Sequence, residues 1–350
     1  MTELLAAHTT FRIGGPAGRW LVPQSEAELI AAVADADAAG EPLLILGGGS
    51  NVLIGDDGFP GTVVHTGGLR GWQIEDVAAC SGAFINVAAG EPWDDLVAAA
   101  IAHEWVGIEA LSGIPGLTGA TPIQNVGAYG QEVAQTIARV RVYDRVEQRV
   151  VTRGLAECHF GYRNSVFKAI PNRFVVLSVS FQFRLGNLSA PIRYAELARR
   201  LGVAEGERAP LAQVREAVLA LRRGKGMVSD PADPDSWSAG SFFTNPVISV
   251  EQAAQLPADA PRFPQPDGRV KTSAAWLIEH AGFGKGFSVG AARVSAKHSL
   301  ALVNPGSARA ADVLALAGVI REGVEARYGV LLAPEPVLVG VSVNGEGIGQ

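Results

Sequence analysis

A run of glycine, serine and asparagine follows an apolar segment near the N-terminus. Residues 42–46 read as a short buried strand, and Gly47-Gly48-Gly49-Ser50-Asn51 come directly after it. Glycine lets backbone N–H groups approach a phosphate closely, and the two polar side chains add hydrogen-bond donors. The spacing matches neither the Rossmann fingerprint nor the Walker loop. Taken alone, the pattern is compatible with a phosphate-binding turn and with a plain connecting turn.

A second, longer segment has the composition of a ligand-binding loop. Residues 107–130 show neither helical nor strand periodicity, and Ser112 to Gly130 are rich in glycine, contain two prolines and carry no charged side chain. So long an irregular stretch is uncommon in a compact domain unless it is functional. A solvated surface loop would normally carry charges. We therefore expect this segment to lie against a large, partly apolar ligand.

Three isolated polar residues have types suited to catalysis. Arg163 is a permanent cation whose planar fork matches a carboxylate, although surface ion pairs are the commoner use of arginine. Ser241 precedes two phenylalanines; a serine hydroxyl donates a proton only in a preorganised site from which water is excluded, and otherwise such a serine belongs to a turn. Glu335 lies between two prolines that fix its backbone, so it is either a rigid functional carboxyl group or an acidic residue at an exposed turn.

The order of the motifs resembles known flavoenzymes. The two glycine-rich segments together are similar to enzymes of the vanillyl-alcohol-oxidase type, in which FAD lies between two subdomains. A closer resemblance, to the family of UDP-N-acetylenolpyruvoylglucosamine reductases, spans nearly the whole chain. It is carried by residues 8–15 (HTTFRIGG), 47–53, 113–130, 161–168 (GYRNSVFK), 239–246 (AGSFFTNP), 275–280 (AWLIEH) and 334–335. Each motif is weak by itself, whereas their shared order is specific.

The resemblance implies a reaction. Members of the family use FAD and NADPH to reduce the enolpyruvyl double bond of UDP-N-acetylglucosamine enolpyruvate, which yields UDP-N-acetylmuramate for peptidoglycan synthesis. Hydride reaches the terminal carbon, and negative charge builds on the adjacent carbon and its carboxylate, so the enzyme must stabilise charge and supply a proton. By resemblance Ser241 is the proton donor, Arg163 stabilises the enolic intermediate, and Glu335 is the third catalytic residue.

The resemblance also implies cofactor and substrate contacts. The residues it assigns to FAD are Gly47, Gly48, Gly49, Ser50, Asn51, Ser112, Gly113, Ile114, Pro115, Gly116, Gly119, Ala120, Gln124, Asn125, Gly127, Ala128 and Tyr129. Those it assigns to the UDP-sugar are Tyr162, Tyr194, Lys225, Asn245 and His298. Tyr194 and Lys225 would contact the diphosphate, and Tyr194 indicates the subclass with an extra loop that closes over substrate. His298 departs from members that carry glutamine there.

The helices and strands predicted from the sequence indicate an α+β protein. We expect three domains: residues 1–68 and 69–220 would form a vanillyl-alcohol-oxidase-type FAD-binding unit, and residues 226–345 an α/β substrate-binding domain. Helices are predicted at 26–39, 91–104, 211–223, 273–281 and 309–328 from apolar periodicity, with Ser25 and Glu28 as a capping box for the first. The acidic, proline-rich residues 230–236 are predicted to be a hinge.

Composition excludes several classes of protein. The chain is 48% hydrophobic and 18% charged with a net charge of −6, which indicates a globular core and gives no basic excess for nucleic acid or anionic lipid. The two cysteines show no metal-binding spacing, and no apolar run is long enough to span a membrane. We expect no metal, no nucleic-acid or membrane partner, a cytoplasmic location and a monomer that binds a UDP-sugar and NADPH.

Two alternative functions remain open from the sequence. One is an oxidase of the same flavin fold; such enzymes often tether FAD covalently through histidine, and His65 is the histidine near a strand end of the first domain. The other is a non-catalytic protein that binds a sugar nucleotide. The joint presence of Arg163, Ser241 and Glu335 disfavours a binding protein, because binding needs no proton donor.

Overall fold

The computed structural model describes residues 3–343, which pack as two compact units. The C-terminal unit consists of the chain up to Ala17, Gly49–Phe59 and the chain from Lys225 onward, and the central unit consists of Gly18–Gly48 and Pro60–Gly224. Packing does not test whether the predicted ranges fold or bind ligands separately, so the three-domain division stays a prediction. The last two residues of the predicted range 226–345 lie outside the described residues.

Helices and strands alternate irregularly along the chain. The α-helices are α1 Glu26–Ala39, α2 Trp93–Ala102, α3 Val166–Ala169, α4 Ala195–Leu201, α5 Leu211–Gly224, α6 Val250–Gln255, α7 Ala274–His280 and α8 Ala310–Tyr328. The strands are β1 Ala17–Leu21, β2 Leu43–Leu46, β3 Val52–Ile54, β4 Phe59–His65, β5 Trp72–Ala78, β6 Gly82–Ala88, β7 Trp105–Val106, β8 Gly127–Ala128, β9 Gln131–Glu132, β10 Ile137–Asp144, β11 Arg149–Gly154, β12 Phe174–Leu185, β13 Val247–Ile248, β14 Arg262–Pro264, β15 Val270–Thr272, β16 Ser288–Val289, β17 Ala292–Val294, β18 Leu302–Val303 and β19 Val337–Val339.

The central unit is built on an antiparallel sheet of order β11-β10-β12-β6-β5, with β7 added beside β12. Strand β12 is buried along most of its length, and Phe181 and Phe183 stack within its core. The apolar face of α2, which includes Trp93 and Leu96, packs into the same core. A smaller sheet of order β1-β4-β2 ends at Leu46, directly before the first glycine-rich segment.

The C-terminal unit has its own core around α8. This long helix buries Val313, Leu316 and Ile320 against the sheets β13-β15-β14 and β16-β17-β18 and helix α7. Phe11 and Leu53, which come from the two N-terminal segments of the unit, belong to the same core. Strand β3 pairs in parallel with β19, so residues more than 280 positions apart share one ladder.

Local signals predicted the helices well. Helices α1, α2, α5, α7 and α8 lie where periodicity placed them. Ser25 caps α1 by accepting the Glu28 N–H at 3.2 Å, and Gly40 ends it with φ of 65°. The predicted capping box is incomplete, because the Glu28 carboxylate accepts the Gln24 N–H at 2.8 Å instead of that of Ser25.

The predicted hinge at residues 230–236 is wrong. The chain passes from one unit to the other at Gly224–Lys225, and the acidic segment lies wholly inside the C-terminal unit. Lys297 donates to Asp233 at 2.6 Å, and the Ser295 hydroxyl donates to Asp235 at 3.0 Å. The acidic residues that suggested a solvated linker are used in these tertiary hydrogen bonds.

Residues 3–343 contain neither a membrane-spanning helix nor a metal-binding cluster. None of the helices there is long and apolar enough to cross a membrane. No group of three or more histidine, cysteine, aspartate or glutamate side chains in this part of the chain is arranged to hold a metal ion.

Candidate active site

The two glycine-rich segments meet in the central unit. A β-carbon placed on Gly48 would lie only 2.7 Å from the Gly116 Cα, so the backbones touch where neither residue has a side chain. A β-carbon on Gly47 would lie at an ordinary 3.7 Å from the Ala120 side chain. Both segments were predicted from the sequence as possible ligand-binding segments, and the tertiary fold brings them into contact.

The second segment is fixed by backbone hydrogen bonds. The Gly119 N–H donates to the Ala89 carbonyl at 2.8 Å, and the Trp93 N–H donates to the Gly116 carbonyl at 3.0 Å. Asp94, in the first turn of α2, accepts the Gly113 N–H at 2.6 Å. The segment is thus tied to the end of β6 and the start of α2, which explains how an irregular stretch keeps one conformation.

Asp94 is itself held by Arg215 of α5. The guanidinium donates two hydrogen bonds to the carboxylate, at 2.7 and 2.8 Å. Burial alone would raise the pKa of Asp94, but the Arg215 pair and the Gly113 N–H together hold it below its usual range. The carboxylate therefore stays ionised and keeps the loop bound to both helices.

Other predicted cofactor residues lie along the same segment. Asn125 is buried with φ of 47°, and its amide donates to Glu132 at 2.8 Å and to the Gly161 carbonyl at 3.1 Å. The Ser112 hydroxyl is buried and donates to the Glu109 carbonyl at 2.7 Å. The remaining predicted contacts in the segment are partly buried: Ile114, Pro115, Ala120, Gln124, Gly127 and Ala128.

Arg163 occupies a strained position in a tight turn. Gly161 and Asn164 exchange backbone hydrogen bonds at 3.0 and 3.2 Å, which leaves Tyr162 and Arg163 at the centre of the turn. Arg163 has φ of 52°, in the left-handed region that normally favours glycine or asparagine. Its Nη2 donates to the Gly127 carbonyl at 2.8 Å, so this arginine is held against the end of the glycine-rich segment.

Tyr129 and Tyr194 form an aromatic pair in the same unit. Their rings meet edge to face with centroids 5.4 Å apart. Tyr129 is partly buried, and this burial raises the pKa of its hydroxyl to about 12. Tyr194 is about half exposed. The two residues therefore present one partly buried and one exposed ring. Tyr162 is also exposed.

Sequence reasoning missed a buried carboxylate that holds the glycine-rich segment in place. Glu109 is fully buried and accepts hydrogen bonds from the Gly107 N–H, the Gln131 amide and the Ala190 N–H, at 2.7, 2.8 and 2.7 Å. It thus joins the start and the end of the glycine-rich segment to the chain that leads to Tyr194. A single carboxylate in the otherwise apolar run 105–111 was the signal that could have identified it.

Ser241 and Glu335 lie on adjacent antiparallel segments of the C-terminal unit. The Glu335 N–H donates to the Phe242 carbonyl at 2.8 Å, and Phe243 forms a bridge with Pro334. Phe242 and Phe243 are fully buried, whereas Ser241 and Glu335 are partly exposed. The fold therefore places the segments that carry the predicted proton donor and the predicted carboxyl group side by side, next to two buried phenylalanines.

Asn51 lies beside the same pair. Its amide donates to the Glu335 carbonyl at 3.4 Å, and its own carbonyl accepts the Val337 N–H at 2.9 Å. Gly49 has φ of 59°, and a β-carbon there would lie 1.9 Å from the His8 carbonyl oxygen, so only glycine fits. Ser50 is half-buried. The end of the first glycine-rich segment thus contacts the strand that follows Glu335.

The remaining predicted substrate residues have structural contacts of their own. Asn245 accepts the Ala274 N–H at 3.0 Å, at the first residue of α7. The His298 N–H donates to the Ser295 hydroxyl at 3.3 Å, and Lys225 precedes Gly226, which lies close against the backbone of Asp235. These contacts fix the backbone near each residue. Contacts of these side chains with substrate stay predictions.

Comparison with known proteins decides the family. Residues 231–339 match the C-terminal domain of UDP-N-acetylenolpyruvoylglucosamine reductase, and residues 19–152 match an FAD binding domain. The UDP-N-acetylenolpyruvoylglucosamine reductase of Cutibacterium acnes is 57% identical over 97% of this chain and 90% of its own length. That of Thermobifida fusca is 51% identical over 97% of both chains. The chain belongs to the UDP-N-acetylenolpyruvoylglucosamine reductase family.

A solved structure of the family agrees. The crystal structure of UDP-N-acetylenolpyruvylglucosamine reductase (MurB) from Thermus caldophilus superposes with a TM-score of 0.66 at 26% identity, and the match covers 97% of this chain and 98% of that one. The predicted mixed α and β fold, with an FAD-binding unit and the family's C-terminal domain, is confirmed. The prediction of a flavoenzyme reductase of this family is confirmed as well.

The residues present fit FAD. The FAD-domain match spans both glycine-rich segments, whose close approach at Gly48 and Gly116 leaves backbone amides and small side chains to face a diphosphate. His65, the residue considered for a covalent tether, has Nδ1 at 3.2 Å from the Leu46 carbonyl and stacks on Trp20 at 5.3 Å. These contacts give the histidine a role at the strand end that leads into the glycine-rich turn.

Proposed function

We propose that this chain carries out the FAD-dependent, NADPH-driven reduction of UDP-N-acetylglucosamine enolpyruvate to UDP-N-acetylmuramate, in peptidoglycan precursor synthesis. The observation that carries the proposal is the pairing of the Ser241 and Glu335 segments in a member of the reductase family. The two residues lie almost a hundred positions apart, and a protein that only bound a sugar nucleotide would not need them together.

The chain's own residues prepare the site for FAD. Bound FAD would take hydride from NADPH and supply it to the terminal carbon of the enolpyruvyl group. The glycine-rich residues 47–51 and 112–129 would hold the diphosphate and line the ring through backbone groups. Tyr129 is held by its contact with Tyr194, and burial raises the pKa of its hydroxyl to about 12.

Proton transfer and charge stabilisation are assigned to three side chains. Ser241 would donate its hydroxyl proton to the carbon next to the carboxylate, above the buried Phe242 and Phe243. Arg163 would stabilise the carboxylate as it takes up charge, and its strained turn supports a functional role. Glu335 would complete the site as a rigid carboxyl group between Pro334 and Pro336.

Substrate recognition is assigned to Tyr162, Tyr194, Lys225, Asn245 and His298. Lys225 and Tyr194 would contact the diphosphate, since one carries a cation and the other a phenol that is about half exposed. Tyr194 is exposed and lies four residues after Ala190, whose N–H is bonded to Glu109. These two features support membership of the subclass whose extra tyrosine-bearing loop closes over substrate. We also propose a three-domain organisation (1–68, 69–220 and 226–345), a cytoplasmic monomer and a preference for NADPH over NADH.

An absorbance titration tests the proposal. Purified protein should show a flavin spectrum, which bleaches under anaerobic conditions on addition of NADPH and returns on addition of the UDP-enolpyruvyl sugar. Colourless protein, or flavin that NADPH does not reduce, would contradict it. Reduced flavin that oxygen but not the sugar reoxidises, with colour kept in an acid-precipitated pellet, would indicate an oxidase with tethered FAD.

A further inference from the structure

The N-terminal motif at residues 8–15 contains a threonine, Thr10, that contacts two distant parts of the chain. In the structure it lies inside the C-terminal unit between two segments that matter for the reaction. The backbone N–H of Thr10 donates to the Gly49 carbonyl at 3.1 Å, and its hydroxyl donates to the Ser238 carbonyl at 2.6 Å. One residue thus joins the glycine-rich turn to the segment that carries Ser241.

The loop around Thr10 is fixed on both sides. The Asn304 amide donates to the Phe11 carbonyl at 3.0 Å, and the Arg12 guanidinium lies 4.0 Å from the centre of the Trp237 ring. On the other side, Gly49 packs so closely that a β-carbon would overlap the His8 carbonyl oxygen. Thr10 is therefore part of a rigid connection and not of a loose terminus.

The connection to Ser241 is short. Ser238 lies three residues before Ser241, and its hydroxyl accepts the Gly240 N–H at 3.1 Å. The Phe242 N–H donates to the Leu300 carbonyl at 2.7 Å, which fixes the chain just beyond Ser241. A shift of the Ser238 carbonyl would therefore move the serine hydroxyl. A displacement of about 1 Å at a reacting group can lower a rate by on the order of a hundredfold.

We infer that Thr10 is a positioning residue, whose hydroxyl sets the place of the proton donor Ser241 relative to the cofactor-binding turn. The inference rests on the proposed function. The backbone N–H of Thr10, which is bonded to Gly49, survives any substitution other than proline. Removal of the hydroxyl deletes its bond to the Ser238 carbonyl at 2.6 Å and its longer contact with the Gly49 carbonyl at 3.4 Å.

Thr10→Val tests the inference, with Thr9→Val as the matched control. Thr9 is buried, whereas Thr10 is partly buried, and the Thr9 hydroxyl donates to the Ile13 carbonyl at 2.9 Å within the same loop. In Thr10→Val we expect flavin reoxidation by the UDP-enolpyruvyl sugar to slow by about tenfold or more. NADPH reduction of the flavin and the dissociation constant of FAD from the apoprotein should stay within about twofold of wild type. Thr10→Ser should restore the rate of reoxidation. Thr9→Val should leave that rate unchanged, even if it lowers the melting temperature as much as Thr10→Val does.

Several outcomes would overturn the inference. The inference is wrong if the two valine variants are reoxidised at equal rates. It is also wrong if Thr10→Val alone loses affinity for FAD, or if Thr10→Ser does not restore the rate. If Thr10→Val does not fold, Thr10→Ala carries the same comparison. If the sugar does not reoxidise the flavin of the wild-type protein, the proposed function itself is refuted. If the sugar does reoxidise it, and the Thr10 variants react at the wild-type rate, only the inference about Thr10 is refuted.

Discussion

At the scale of single residues, three non-glycine members of the candidate site have a left-handed backbone conformation, as do five other non-glycine residues of the range 3–343. Asn125, Tyr129 and Arg163 have φ values of 47°, 49° and 52°, a region that costs a residue with a β-carbon about 1 kcal/mol or more. Such strain persists only where the surroundings enforce it, and it is concentrated at functional sites. In this protein the surroundings are the Asn125 amide network and the Arg163 bond to Gly127.

Ser241→Ala should separate the two half-reactions. NADPH-dependent bleaching of the flavin should stay nearly intact, because it needs no proton from serine. Reoxidation by the UDP-enolpyruvyl sugar should slow by about a hundredfold or more, since a positioned acid is lost. Stopped-flow absorbance measures both rates.

The control for this variant is Ser249→Ala. Ser249 accepts the Gln252 N–H at 3.2 Å as the cap of α6, so its loss should cost stability and leave both rates unchanged. If both half-reactions fall equally in Ser241→Ala, Ser241 has a structural role instead.

At the scale of elements, two loops meet because neither has a side chain at the contact. Gly48→Ala would force a methyl group to within 2.7 Å of the Gly116 Cα, so one loop must move and we expect the affinity for FAD to fall by about tenfold or more. Gly47→Ala should change it little, since its methyl group meets Ala120 at 3.7 Å. Fluorescence titration of the two apoproteins with FAD measures the difference, and equal affinities would contradict the assignment.

The ends of β10 and β12 are joined by an ion pair that should make stability depend on pH. Asp144 is fully buried, and Arg173 donates three hydrogen bonds to it at 2.8 to 3.1 Å. Burial alone would raise the pKa of Asp144. The bonds from Arg173 and from the N–H groups of Glu147 and Val146 outweigh that effect and hold the pKa below its usual range.

The sign of the pH dependence follows from this lowered pKa. The stabilisation from Asp144 is present above its unfolded pKa of about 3.9 and is lost as pH falls through the lower folded value. Asp144→Asn should lower the free energy of unfolding by about 2 kcal/mol at pH 7 and reduce the further loss on acidification below pH 4. Urea unfolding from pH 7 to pH 2 measures this, and an unchanged acid dependence would show that other groups cause it.

At the scale of the whole molecule, the chain crosses between its units several times. Residues up to Ala17 and Gly49–Phe59 belong with the C-terminal unit, although they are separated in sequence by a segment of the central unit. Phe11, Ile13 and Leu53 complete the core around α8, and β3 pairs with β19. The segment up to Ala17 is therefore part of the C-terminal unit, although it stands at the other end of the sequence.

Deletion of residues 3–15 should weaken the C-terminal unit selectively. Loss of Phe11 and Ile13 opens the core around α8, at about 3 kcal/mol or more for each large side chain removed. Hydrogen exchange followed by mass spectrometry should show lost protection in α8 and retained protection in β12. Equal loss in both elements would mean that the segment stabilises the two units alike.

The sequence by itself determined the local elements and the family. Helix α1 could be bounded from Ser25 and Gly40, because capping signals act over three or four residues and need no tertiary partner. The composition of residues 112–130 indicated a ligand-binding loop for the same reason, since charge and glycine content are local properties. The ordered motifs from His8 to Glu335 sufficed to indicate the reductase family.

Only the tertiary structure decided which distant residues meet. The Gly48–Gly116 approach, the Phe242–Glu335 backbone bond and the Thr10 connection each join segments far apart in sequence, and no short-range pattern specifies such a contact. The acidic residues 230–236 looked like a solvated hinge because their partners, Ser295 and Lys297, come about sixty positions later. Charge pairing and close packing depend on distance in space, and the sequence shows only distance along the chain.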